Sequence, residues 1–234
     1  YCCICDHHVL RFLPYRGWRD LPPLILALEG VGSDVRQFGC PRCASHDRER
    51  HLALYFSKLA IYARMAGATI LHFAPERHLS RLIRERGPAR YVKCDLYPVA
   101  PDVVKIDMMD IPFPDQTFDI IIANHVLEHV GDDLSALKEL YRVCKTGGIA
   151  ILQTPYSAKL HSTLSDPGVD SDQARLQLYG QEDHVRLYGR DIFERFSSVG
   201  FVAKVASHAD VLSDVDAQRY GVNRAEPLFL FTRS

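Results

Sequence analysis

A chain of 234 residues with 47% hydrophobic and 24% charged positions has room for one full α/β domain and a small appendage. Its net charge of −1 gives no electrostatic case for a nucleic acid or an anionic membrane as partner. No apolar run reaches the roughly 18–20 residues that span a bilayer; no basic-then-apolar leader opens the stretch at Tyr1, so the cytosol is the expected compartment, and since Met does not stand at position 1 the true N-terminus is expected upstream.

Four of the seven cysteines form Cys2-x-x-Cys5 and Cys40-x-x-Cys43, with 34 residues between the pairs. In a reducing compartment two such knuckles suit tetrahedral zinc better than disulfides, because each tight turn lets two thiolates reach one metal. Four protein ligands leave zinc no open position, so the ion is expected to hold structure; free buried cysteines are the alternative. Cys3, Cys94 and Cys144 lack a partner pattern and are expected as small core residues. Residues 1–44, rich in Pro and Gly, read as a zinc-binding module with Tyr15, Trp18 and Phe38 as its small core.

A linking helix is expected over 45–67, capped by Ser45, with Leu52, Phe56 and Leu59 on one face and Gly67 as its stop. From residue 68 to 234 strands and helices alternate. "TILHFA" reads as a buried strand, and "ERHLSRLIRERG" as a helix with Leu79, Leu82 and Ile83 inward. "ARYVKCD" and "DVVKID" are the next strands, followed by "TFDIIIAN", apolar throughout as a central parallel strand should be. Asp132 or Asp133 caps a helix whose Leu134, Leu137, Tyr141 and Cys144 face inward. "IAILQTP", a polar stretch over 156–186, a helix near 190–199, and the strands "FVAKVAS" and "PLFLFTR" complete the chain. The pattern predicts an α/β, doubly wound, Rossmann-like sheet with its site at the C-terminal strand ends.

Acidic residues fall on those ends. Asp95, with Leu96 beside it, closes the second strand, where a carboxylate can accept both hydroxyls of a ribose. Asp107 closes the third, where it can take an adenine amino group while Met108 covers the ring. Asn124 and His125 close the fourth. A single acid there often only caps the next helix; three successive strand ends carry more weight.

"DIPFPDQTFDIIIANHVLEHV" followed by "ALKELYRVCKTGGIAILQTP" resembles the middle of class I S-adenosylmethionine-dependent methyltransferases. Together with "CPRCASHDRERHLALYF", "ILHFAPE" and "DHVRLYG", it is similar to a bacterial subgroup with an N-terminal cysteine module. The resemblance implies a seven-stranded methyltransferase sheet over 68–234, S-adenosylmethionine as cofactor, and a first motif at "LHFAPE". His72, Phe73, Ala74 and Glu76 stand there without the family's usual glycines. The donor has no phosphate for a glycine loop to cradle. Glu76 is expected to face its ammonium, or to serve only as the N-terminal carboxylate of the following helix.

Methyl transfer to a hydroxyl needs a base, whereas a neutral amine needs little more than alignment. By resemblance His129 is the catalytic histidine, with His125 and Glu128 on the same face of a helical turn. A structural His129 is the competing reading. His184, oriented by Asp183 and followed by Arg186 and Tyr188, forms a second candidate set, with "HSTLSDPGVDSD" upstream as a lid. The leading expectation is O-methylation of a small molecule or a sugar or glycan precursor. An RNA base methyltransferase and a non-catalytic binding protein are the alternatives. Nine Lys and Arg against six Asp and Glu over residues 1–66 give only +3, which makes a nucleic-acid partner unlikely on charge.

Overall fold

The computed structural model of the protein describes residues 1–15 and 21–234. Trp18, expected in the small N-terminal core, lies outside the described residues. Seven strands form one sheet: β1 (Thr69–Phe73), β2 (Arg90–Asp95), β3 (Val104–Lys105), β4 (Phe118–Asn124), β5 (Cys144–Gln153), β6 (Phe201–Ala203) and β7 (Leu230–Arg233). Their order in space is β3-β2-β1-β4-β5-β7-β6. The first five run parallel, and β7 lies antiparallel between β5 and β6. The winding direction reverses between β1 and β4, so the loops leaving their C-terminal ends diverge and open a crevice there.

The isoleucine run of β4 explains its central place. Ile121 packs with Leu71 in one core cluster, while Ile120 and Ile122 pack with Ile70 in the other, as the two-residue period of a strand requires. Helices α1 (Asp47–Lys58) and α2 (Arg77–Arg84) cover one face through Leu52, Phe56, Leu79 and Ile83. Helices α3 (Asp133–Val143) and α5 (Ile192–Ser197) cover the other through Leu137, Leu140, Ile192 and Phe196; α4 (Asp172–Tyr179) lies outside the sheet's two layers of core.

Several local expectations are corrected. The helix over 45–67 is two helices, because Ala60 turns left-handed (φ 53°) and a second begins at Ile61, ending at Met65. Beyond the end of α1, Leu59 is consequently exposed. Ser45 is not the cap: His46 occupies that position, and the buried Ser45 hydroxyl sits 3.2 Å from the Cys43 sulfur and 3.4 Å from that of Cys2. Of the two capping candidates, Asp132 is the cap of α3, as one of the alternatives had it, its carboxylate accepting from Ser135 N at 3.1 Å. The segment "DVVKID" contributes only a two-residue edge strand, and β5 starts at Cys144, well before the expected 149. Leu82 packs against the cysteine cluster instead of the sheet, and Cys3 is partly exposed there. The N-terminal region includes a short helix, Pro23–Ala27, and a ribbon in which Gly30–Val31 pairs with Tyr156–Ser157.

Arg50, fully buried on α1, ties the N-terminal region to the rest. It donates to the carbonyls of Gln37 (2.7 Å), Phe38 (3.3 Å) and Ser45 (2.6 Å) on one side, and of Tyr220 (3.0 Å) and Gly221 (2.6 Å) on the other. Its guanidinium also lies 4.0 Å from the centre of the Phe12 ring. One residue earlier, Glu49 accepts from His46 N (2.9 Å) and from His78 N (2.9 Å), so the same helix turn anchors α2. A buried charge is tolerated here because every face of it meets an acceptor.

Candidate functional site

The four cysteines of the two CxxC pairs converge, with all four sulfurs within 4.8 Å of one another. Cys2 and Cys43 are 3.8 Å apart and Cys5 and Cys40 4.0 Å. Zn–S bonds of about 2.3 Å in a tetrahedron put sulfurs about 3.8 Å apart, whereas a disulfide needs about 2 Å. These two spacings are compatible with four thiolates around one ion and exclude disulfides within these two sulfur pairs. The cluster packs on Ile4, Phe12 and Ala53.

At the C-terminal ends of β1 to β4 lies a cavity of about 520 Å³. Phe73, Ile106 and Met108 form an apolar floor, and Ala74, Leu96 and His125 line its walls. Asp95 and Asp107 border it from neighbouring strand ends. Each uses one oxygen to close a local turn, Asp95 accepting from Tyr97 N (2.8 Å) and Asp107 from Met109 N (2.9 Å). The second oxygen of each makes no hydrogen bond among the described residues, and so is left to the cavity. The arrangement offers an apolar slot bordered by two acceptor-only groups, which can take the hydroxyl and amino donors of a ligand.

Three expected contributors stand behind the wall instead of on it. His72, Glu76 and Asn124 form a hydrogen-bonded set in which the Glu76 carboxylate accepts from His72 Nε2 (3.1 Å) and from the Asn124 amide. Burial opposes ionisation of Glu76, but the His72 ring outweighs it and holds the carboxyl below its ordinary range. The set fixes the ends of β1 and β4 relative to each other. Ala74, next to it, adopts φ 46°, a left-handed conformation that glycine takes freely and alanine at a cost of about 1–2 kcal/mol. Ala74→Gly is therefore expected to stabilise the protein by about 0.5–1 kcal/mol after the added freedom of the unfolded chain is subtracted. Thermal unfolding checks this; a lowered midpoint would show that the alanine methyl is needed at the rim.

A second cavity, of about 380 Å³, adjoins the first. His125, His129 and Asp183 line both. Its floor includes Glu128 and His184; its roof comes from the N-terminal region, with Tyr15, Ile25, Val35 and Phe38 among the lining residues. Tyr15 and Phe38, expected as a small core, pack edge-to-face with ring centres 5.0 Å apart and face this cavity.

"NHVLEHV" does not form the expected helical face. His125 is left-handed (φ 56°), and only Leu127–His129 make a single 3-10 turn. Glu128 is buried, its Oε2 accepting from the Thr154 hydroxyl at 2.7 Å, while Oε1 has no hydrogen-bond partner among the described residues. Asp183 does not orient His184, as had been expected. It pairs with His129, whose Nδ1 lies 3.3 Å from its carboxylate and 3.2 Å from its carbonyl. The buried His184 is held by the Tyr179 carbonyl, 3.1 Å from its Nδ1, and burial lowers its pKa. Arg186 and Tyr188 are struts. Arg186 donates to the carbonyls of Leu127 (2.8 Å), Val130 (2.5 Å) and Gly131 (2.8 Å), and Tyr188 donates to Asp133 (2.8 Å), which also pairs with Arg195 at 2.6 Å. These bonds lock the turn carrying Glu128 and His129.

Two residues at the site were missed from the sequence. Glu226, buried near the C-terminus, faces His125 Nε2 at 3.3 Å while Glu128 faces its Nδ1 at 3.4 Å. Burial and Arg48 both disfavour a charged His125, but the two carboxylates prevail and raise it to about 8. The same imidazole holds Glu128 down to about 2 against its own burial. Arg48 borders the second cavity with its buried Nε unpartnered among the described residues. No local motif marks either residue; both arrive from distant elements.

Residues 57–152 match the family described as methyltransferase domain. Demethylmenaquinone methyltransferase of Lysinibacillus sphaericus (strain C3-41) is 40% identical over 57 residues, 24% of each chain. Malonyl-[acyl-carrier protein] O-methyltransferase of Halorhodospira halophila (strain DSM 244 / SL1) is 27% identical over 137 residues, covering 54% of this chain and 43% of that one. The chain thus spans about a quarter of the first of these relatives and less than half of the second. An S-adenosylmethionine-dependent methyltransferase from Mesorhizobium loti superposes with a TM-score of 0.53 at 14% identity, over 76% of this chain and 96% of that one. The fold is the Rossmann-like methyltransferase fold with a mostly parallel seven-stranded sheet.

Proposed function

We propose that this chain, which carries a methyltransferase domain, methylates a hydroxyl of a small molecule, with S-adenosylmethionine in the 520 Å³ cavity and the acceptor in the 380 Å³ cavity. The observation that carries this reading is the wall shared by the two cavities, where His125, His129 and Asp183 face both. S-adenosylmethionine supplies a methyl group on a sulfonium, an electrophile that needs little more than alignment with its nucleophile.

Each wall residue has a role in this reading. Asp95 holds the ribose hydroxyls, Asp107 the adenine amino group, and Phe73 and Met108 enclose the ring. His129 and His184 each commit an Nδ1–H to a carbonyl, since a carbonyl can only accept, and so keep the Nε2 lone pair free beside the acceptor. His125, charged between two carboxylates, orients the rim. A zinc ion held by Cys2, Cys5, Cys40 and Cys43 fixes the N-terminal region, and that region roofs the acceptor cavity.

The test is incubation with methyl-labelled S-adenosylmethionine and a metabolite extract, with purified RNA in a parallel reaction. Label in ether-linked small molecules is the expected result. Label confined to RNA bases, or none above a heat-treated control in either reaction, would overturn it.

A further inference from the structure

We infer that Glu128, His129 and His184 form a second metal site, distinct from the cysteine cluster and set in the floor of the acceptor cavity. One donor atom from each of the three lies within 4.8 Å of the other two. A carboxylate and two imidazoles are the donor set of a catalytic two-histidine, one-carboxylate centre, which suits Zn²⁺, Mn²⁺ or another first-row divalent cation and keeps positions open for a substrate.

The surroundings of each donor fit ligation. His184 gives its Nδ1–H to the Tyr179 carbonyl (3.1 Å), and His129 gives its own to the Asp183 carbonyl (3.2 Å). Metal-binding histidines are characteristically tied in this way, which fixes the tautomer and frees Nε2 as the ligand. Glu128 is anchored at Oε2 by Thr154 (2.7 Å), and its buried Oε1 has no hydrogen-bond partner among the described residues. The nearest group to that oxygen is His125 Nδ1, at 3.4 Å, which leaves it lone pairs for an ion. Donors on a bound ion would sit about 3.0–3.4 Å apart, so loading draws the set together. His129 has the room to move, with its side chain 32% exposed on a single turn. The carbonyl bonds of Arg186 hold that turn in place.

This inference rests on the methyltransferase reading for its chemistry and narrows the acceptor to one with a metal-binding hydroxyl, such as a catechol, a vicinal diol or a hydroxy acid. Bound to the cation, the hydroxyl loses its proton readily, and the Asp183 carboxylate, exposed beside His129, passes that proton to solvent. The O–CH₃ bond then forms as the donor's C–S bond breaks; the ether and the neutral thioether leave, and the metal keeps its oxidation state. The two histidines serve here as ligands in place of bases.

The test is a titration of the full-length, zinc-loaded protein with Mn²⁺ alone, followed by loss of the free-ion electron paramagnetic resonance signal. One Mn²⁺ per chain is expected in addition to the thiolate-bound zinc counted by elemental analysis. His129→Ala and His184→Ala should each weaken Mn²⁺ binding at least ~100-fold, since removal of outer partners alone costs ~10–100-fold, and both should keep their zinc. His129→Ala guards against a folding artefact, because that side chain is the most exposed of the three. No Mn²⁺, Co²⁺ or additional Zn²⁺ bound by the wild type, or undiminished binding in both variants, would overturn the site. Affinity for S-adenosylhomocysteine is measured in the same samples. If it is absent while Mn²⁺ binds as expected, the metal site stands and the methyltransferase reading fails.

Discussion

Asp95→Asn lowers the affinity for S-adenosylhomocysteine about 100-fold and leaves the unliganded protein's unfolding midpoint nearly unchanged. The reason is the division of labour within that carboxylate. Oδ1 closes a turn by accepting from Tyr97 N at 2.8 Å, and an amide oxygen can do the same. Oδ2 makes no hydrogen bond among the described residues, and Asp95 lines the cavity, where the carboxylate's charge would strengthen hydrogen bonds from both ribose hydroxyls. Bonds to charged acceptors contribute about 1.5–3 kcal/mol each, and an amide that keeps only part of that loses about 2.7 kcal/mol, or two decades. Asp107→Asn, which meets a single amino group, should lose about tenfold. If Asp95 mattered only for its turn, Asp95→Asn would leave both the midpoint and the affinity nearly unchanged. Calorimetry and thermal unfolding on the same variant separate the two outcomes.

Cys40→Ser should abolish the bound zinc and most of the methyl transfer, yet keep S-adenosylhomocysteine affinity within about threefold. A structural zinc contributes apparent binding free energies on the order of 10 kcal/mol to the fold it closes, so the segment around the cluster should open to proteolysis and hydrogen exchange. The lining of the two cavities makes the effect selective. The 520 Å³ cavity draws no lining residue from the segment before residue 73, whereas the 380 Å³ cavity takes Tyr15, Ile25, Val35 and Phe38 from the N-terminal region. Loss of both affinity and transfer together would mean that the cluster supports the whole fold, as the buried Arg50 bridge to Tyr220 and Gly221 allows. Retained transfer with zinc absent would remove the cluster from the acceptor cavity's construction.

The sheet was legible in the sequence because its signal is local. An apolar β-branched run such as Ile120–Ile122 suits a strand buried on both faces, and amphipathic helices follow the first and fourth strands. That Asp95 and Asp107 border the cavity at the strand ends was legible for the same reason: a strand end is a position in the sequence. The cysteine pairs could be read from spacing alone, and their sulfurs do converge.

What failed depended on contacts between distant segments. Asp183 sits next to His184 in sequence, but a tight backbone turn points it at His129, while His184 takes its partner from Tyr179 on α4. Glu76 stands where a donor contact was expected, and is turned aside by His72 and Asn124. Glu226 reaches His125 across 101 positions, a pairing that no motif encodes. The lining of the 380 Å³ cavity likewise joins Tyr15, Ile25, Val35 and Phe38 to residues from His125 onward, a convergence visible only once the chain has folded.

The most direct measurement is calorimetric titration of the purified wild-type protein with S-adenosylhomocysteine. A saturable one-to-one heat, accompanied by a raised unfolding midpoint, is the predicted result. Neither heat nor thermal protection at saturating ligand would contradict the assignment of the strand-end cavity to an adenosyl methyl donor.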